Sequence, residues 1–238
     1  MRTALRICMS VLWLLTVVGG SWADTVFTTE PKTRVRPRPS LRMKPITSVP
    51  WGSVFERVKV VETWSRVSLN DSADVFIWSD FVSAYDVAEA RTVAEGQREV
   101  HFTVGKYIGK PVWEAMCTHI IEGEKAAFPD LKAVSLKGYL ASRYPGGEPL
   151  CTGRWARHTG TGGALEVEAM EVAPPTGRDE EIHDRVVKLF KSEDRKGKSV
   201  YSVEEVWKQI GEEYDMSKEE ARFTYDRVRW FRAKLLEP

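Results

Sequence analysis

The sequence predicts an α+β fold: a small antiparallel β barrel or sandwich with one inserted helix, followed by a three-helix C-terminal module. Three observations carry this expectation. Between residues 51 and 173, short β-branched and aromatic runs alternate with turn residues, the pattern of an antiparallel domain. After Pro174-Pro175-Thr176-Gly177 the apolar residues change to helical spacing, which marks a boundary and a second kind of structure. The chain has 238 residues, 42% of them hydrophobic, with 9 Trp and 9 Phe, enough to build a core and unlike disordered or collagen-like compositions.

Taken in order, the first element is a targeting segment. Arg2 and Arg6 precede the apolar run 7–18 (ICMSVLWLLTVV), and Gly19, Gly20 and Ser21-Trp22-Ala23 follow. A positive start, a short apolar stretch and small residues before Ala23 read as a signal peptide over residues 1–23. Twelve residues of helix rise only about 18 Å, short of a hydrocarbon core of about 30 Å. The expected localisation is therefore exported, periplasmic or extracellular.

Export bears on the cysteines. Cys8 leaves with the signal, and Cys117 and Cys151 remain as one pair, which an oxidising compartment permits to join. A disulfide closing that loop of about 35 residues would stabilise the fold by roughly 3–4 kcal/mol in the chain-entropy model. The histidines stand alone, with no HxxxH, HExxH or CxxC partner, so no metal and no cofactor are expected.

Residues 24–50 read as a Pro/Arg-rich disordered arm. The formal net charge of +1 hides this segment, because residues 1–50 hold eight bases and two acids while the remainder is net acidic. Arg34, Arg36, Arg38, Arg42 and Lys44 form a cationic cluster suited to an anionic surface such as lipid headgroups, cell-wall polymer or nucleic acid.

Within 51–173 the expected strands are 54–61, 66–69, 74–78, 99–104, 112–120, 133–140, 153–157 and 164–172. One helix is expected at 84–95, with Ser83 and Asp86 at its start and Gly96 as its stop. That order suits an oligonucleotide/oligosaccharide-binding type of barrel, and a sandwich nearly as well. The loop His158-Thr159-Gly160-Thr161-Gly162-Gly163 lacks the Lys-Ser/Thr of a phosphate cradle and leads into a strand, so it reads as a hairpin connection. No GxSxG elbow is present. The carboxylates Asp71, Asp74, Asp80 and Asp86 are diagnostic of acid/base catalysis only through a spatial separation. An extracytoplasmic enzyme therefore remains an alternative to a binding protein.

In the module at 178–238, Ile182, Val186, Leu189 and Phe190 share one helical face, and Asp179, Glu180 and Glu181 lie in its first turn where they offset the macrodipole. Two capping boxes follow, Ser202 with Glu205 and Ser217 with Glu220. The segment Ile210-Gly211-Glu212-Glu213-Tyr214-Asp215-Met216-Ser217-Lys218-Glu219-Glu220-Ala221 resembles the helix-turn-helix of bacterial transcription regulators. That resemblance covers some 20 residues and implies nucleic-acid binding. Glu219 and Glu220 in the first turns of the second helix, and a leader for export, argue the other way.

On the last helix, at 100° per residue from Ala221, the core stripe is Ala221, Tyr225, Val228, Leu235 and Leu236. Phe223 and Trp230 fall about 200° and 180° away. Either the helix packs on both sides, or Phe223, Arg227, Trp230 and Lys234 form a protein-binding surface of the kind rich in hot-spot residues. The sequence thus reads as an exported, non-catalytic binding or assembly protein.

Overall fold

The computed structural model describes residues 25–69, 73–157, 163–170, 173–192 and 200–234; the segment 1–23, where a signal peptide is expected, and Asp71 lie outside them. Among these residues the chain is mixed α+β, with two five-stranded sheets, a two-stranded hairpin and four helices, and no sheet closes into a barrel.

The first sheet begins with β1 (Thr25–Thr28). The hairpin of β2 (Thr33–Val35) and β3 (Thr47–Val49) follows, then β4 (Val54–Val61), β5 (Trp64–Leu69), β6 (Ala73–Trp78) and the short β7 (Val82–Ser83). Its order is β6-β5-β4-β1-β7, antiparallel throughout. The β2–β3 hairpin joins it through paired main-chain bonds between Arg36 and Phe76. Alternate residues face one core of Val26, Val35, Phe55, Val67, Val75, Ile77 and Val82, as a period of two requires.

This arrangement corrects the expectation of a disordered arm at 24–50. Val26 and Phe27 are fully buried in a central strand, and Val35 is fully buried beside them. Three well-placed apolar side chains suffice to order a segment whose composition alone reads as a tether, because neighbouring strands supply the rest of the core.

The second sheet contains β8 (Tyr85–Ala94), β9 (Gln97–Val104), β10 (Ala133–Leu140), β11 (Cys151–Ala156) and β12 (Ala164–Ala169), in the order β12-β11-β10-β9-β8. The pair β9 and β10 is parallel, so it needs a crossover. Helix α1 (Lys110–Ala127) provides it, laying Val112, Trp113, Met116, Cys117, Ile120 and Ile121 on the sheet. Those positions follow the helical i, i+3, i+4 rhythm, and that corrects the strand expected at 112–120.

The converse correction is β8, where a helix was expected. Ala88, Glu89, Ala90 and Arg91 suit a helix by propensity, but the segment is an exposed edge strand laddered to β9. Gly96, at φ +70°, serves the hairpin turn rather than a helix stop. Tertiary pairing outweighs local propensity at both places.

The remaining helices are α2 (Gly177–Phe190), α3 (Val203–Tyr214) and α4 (Lys218–Lys234). Thr176 with Asp179 and Ser202 with Glu205 form reciprocal capping boxes. Ser217 and Glu220 exchange bonds of 2.8 and 3.1 Å at the start of α4. Ile182, Val186, Leu189, Val206, Trp207, Ile210, Ala221 and Tyr225 share one core between the three helices.

A groove where both sheets and the helices meet

Helix α4 uses its second apolar face internally. The Tyr107 ring meets Phe223 and Trp230 edge-on, at centroid distances of 5.6 and 6.1 Å, and both aromatics pack on the core of the second sheet. Trp230 lies so close to Gly109 that a Cβ there would stand 1.9 Å from the indole nitrogen. Arg227 pairs with Asp179 at 2.5 Å, and the side chain of Lys234 lies outside the described residues. The expected protein-binding surface is thus an intramolecular seam, because a helix with two apolar stripes buries both when sheet and helix cores flank it.

Arg229 ties α4 to the first sheet. It pairs with Glu30 at 2.6 Å, donates to the Asp80 carbonyl at 3.2 Å and lies over the Phe81 ring at 4.7 Å. The Lys106 ammonium, just after β9, donates to the same carbonyl at 2.5 Å. Lys106 is only 7% exposed, and burial lowers its pKa to about 8 despite the charge of Asp226.

Asp226 is the anomaly of this seam. It is 8% exposed, and its Oδ2 has no hydrogen-bond partner although the charges of Lys106, Arg229 and Arg222 act on it. Burial raises its pKa to about 6 against those charges. An ionised carboxylate oxygen buried without a protein donor is costly, on the order of 1–3 kcal/mol, so Oδ2 remains able to accept a bond from a donor outside the chain.

Two adjoining cavities open there. One, of about 380 Å³, is lined by Tyr107, Trp207, Phe223 and Asp226 among others. The second, of about 430 Å³, runs along the first sheet past Trp78 and Asp80 to Phe190. Gly105, Lys106 and Arg222 line both. The result is a continuous groove to which both sheets and the helices contribute, in the junction position that ligand sites favour.

The open face of the second sheet carries a contrasting cluster. Glu99 accepts from Lys137 at 2.8 Å and from Arg91 at 2.7 Å, with His101 Nε2 at 3.0 Å. These donors, Lys137 foremost, hold its carboxyl at about 2. This acid is satisfied by its neighbours.

The other sequence candidates do not converge. Asp74 pairs with Arg66 across β5 and β6, and Asp86 reaches the edge of the second cavity. Cys117 and Cys151 face one another with their sulfurs 3.9 Å apart. They are free thiols in this structure, where the sequence predicts a disulfide of about 2.05 Å. Hydrogen bonding to Cys151 and burial push the Cys117 thiol far up, away from thiolate reactivity. Of the anionic-surface set, Arg34, Arg38, Arg42 and Lys44 are exposed. Arg36 is buried, which corrects its assignment, and its guanidinium serves the carbonyls of Leu41 and Met43.

Among the described residues no group of three His, Cys, Asp or Glu side chains gathers to hold a metal, and no helix is long and apolar enough to cross a membrane. Lys106 and Asp226 were absent from the sequence reading. A signal for Asp226 was present, since it falls about 140° from Ala221 on the helix wheel, between two apolar faces that both need burial. Comparison with protein-family models, curated proteins and solved structures finds no match to this chain.

Proposed function

We propose that this is an exported, non-catalytic binding protein, periplasmic or extracellular, that holds a small polar ligand in the groove over Lys106 and Asp226. The observation that carries this reading is the buried, unpartnered Oδ2 of Asp226 in the cavity wall. It needs a donor, and Lys106 and Arg222 beside it offer N–H groups to an acceptor. A hydroxyl or a primary amide meets both demands at once, and the rings of Trp207, Tyr107 and Phe223 give its carbon skeleton an apolar wall. The helices α2 to α4 act in this reading as a three-helix module that completes the groove by docking.

The test is a titration of the full chain, followed in ¹H–¹⁵N spectra, with N-acetylglucosamine and N-acetylglycinamide. A ligand groove predicts that at least one of them shifts the amides of Gly105, Lys106 and Asp226, and that Asp226→Leu removes the shift. If none does, the reading fails. Export is tested separately by intact mass from fractionated cells, with and without thiol alkylation. The expected form starts at Asp24 and comes from the envelope or medium.

A second reading, an extracytoplasmic enzyme, is favoured by the same two groups. An acid near 6 and an amine near 8 are both able to exchange protons at neutral pH. It predicts that a bound ligand is chemically changed over time, which the same spectra would reveal.

A further inference from the structure

The loop between β2 and β3, residues 36–46, contains features that the groove does not use. Leu41 is 62% exposed, Ile46 57% and Met43 36%, three large apolar side chains on one short hairpin. Arg34, Arg38, Arg42 and Lys44 are exposed around them, and no Asp or Glu occurs between residues 31 and 50. Scattered apolar exposure needs no explanation, but apolar side chains grouped with unopposed cations do.

The loop is also built to hold that arrangement. The buried guanidinium of Arg36 donates to the carbonyl oxygens of Leu41, at 3.2 Å, and of Met43. Ser40 accepts at its side chain from the Arg42 amide at 3.3 Å, and its carbonyl accepts from the Met43 amide at 3.3 Å. Pro37, Pro39 and Pro45 restrict the backbone further. A charge buried to fix a loop keeps the apolar side chains directed outward instead of folding back on the sheet.

We propose that this hairpin docks on an anionic lipid surface, with Leu41, Met43 and Ile46 entering the headgroup region and Arg34, Arg38, Arg42 and Lys44 meeting lipid phosphates. The cations alone would suit any polyanion. The apolar trio distinguishes lipid from the rest, since Leu and Ile gain nothing on a nucleic acid or cell-wall phosphate but are removed from water at a membrane interface.

The test is sedimentation of the full chain with vesicles of 70% phosphatidylcholine and 30% phosphatidylglycerol beside pure phosphatidylcholine vesicles, with residues 1–23 common to the wild type and the variants so that their contribution cancels in that comparison. The anionic vesicles should bind at least about tenfold more tightly, with the advantage lost at high salt. Arg38→Glu with Arg42→Glu and Lys44→Glu should erase that preference. Leu41→Ser with Ile46→Ser should weaken vesicle binding by about threefold or more while leaving retention on immobilised polyphosphate unchanged. All five side chains are exposed, so these variants should keep the wild-type thermal midpoint. No preference for the anionic vesicles would overturn the proposal. So would a serine pair that left vesicle binding intact, or that lowered polyphosphate retention equally.

Discussion

Glu99 and Asp226 are two carboxylates little exposed to water in one chain, and they are treated in opposite ways. Glu99, on the open face of the second sheet, collects Lys137, Arg91 and His101, and its carboxyl is held at about 2. Asp226, on α4, is ringed by the charges of Lys106, Arg229 and Arg222 without touching any, and is raised to about 6. Their difference separates structure from function. A satisfied acid contributes a local lock on a sheet, whereas in the proposed function a buried acid with an idle oxygen and a cavity beside it is where a ligand binds.

The strongest way to break the contrast is to remove the seam that buries Asp226. Phe223→Ala with Trp230→Ala should cost about 3–5 kcal/mol, since two packed aromatics are lost. In the part of the population that stays folded, the Asp226 carboxyl should return toward its ordinary value while Glu99 stays where it is. Thermal unfolding and ¹³C carboxyl shifts would read both. Gly109→Ala should weaken the same seam by about 1–3 kcal/mol, because the new Cβ overlaps the Trp230 indole.

A smaller effect sharpens it. Because the folded-state value of Asp226 lies above its ordinary 3.8, the folded chain binds more protons than the unfolded chain between about pH 4 and 6. This group therefore removes stability as pH rises through that window. Asp226→Asn should raise stability by about 1–2 kcal/mol at pH 7 and lose that advantage below pH 4. Urea unfolding at the two pH values checks this. The burial of Lys106, lowered to about 8 from 10.5, works in the other direction and adds stability as pH rises from about 8 to 10.5.

The smallest effect comes from Glu99. Its folded value lies below its ordinary one, so its contribution is complete above about pH 4.5 and is lost as pH falls toward 2. Glu99→Gln should cost about 1 kcal/mol or less at neutral pH, as partly solvated ion pairs do. A loss well above 1 kcal/mol would contradict the small weight given to this cluster.

The contrast also shows what was legible beforehand. Ser202 with Glu205 and Ser217 with Glu220 could be read from sequence because a capping box is made by residues three apart. Segment 133–140 and most of 164–172 were legible as strands because one face of each alternates apolar residues, although β12 ends at Ala169. Helix α1 and strand β8 were exchanged, since the choice at each is settled by a partner far along the chain: the parallel β9–β10 pair demands a crossover, and β9 recruits the residues before it. The disordered reading of 24–50 failed for the same reason, as β1 owes its place to β4 and β7. For the site, composition showed the cationic hairpin but not that Arg36 is buried to organise it. Lys106 carried no signal in its local sequence, and Asp226 was legible only as a polar position between two apolar faces of α4.

The central claim, that Asp226 is an acid kept unpaired for a ligand, is tested most directly by following the two carboxyl carbons, Glu99 Cδ and Asp226 Cγ, in one pH titration of the full chain. The titration is run with and without N-acetylglucosamine and N-acetylglycinamide. The account predicts midpoints near 2 for Glu99 and near 6 for Asp226, with only the Asp226 midpoint moving when one of the two compounds is present. An Asp226 midpoint at the ordinary value near 3.8, or one that neither compound moves, would contradict it.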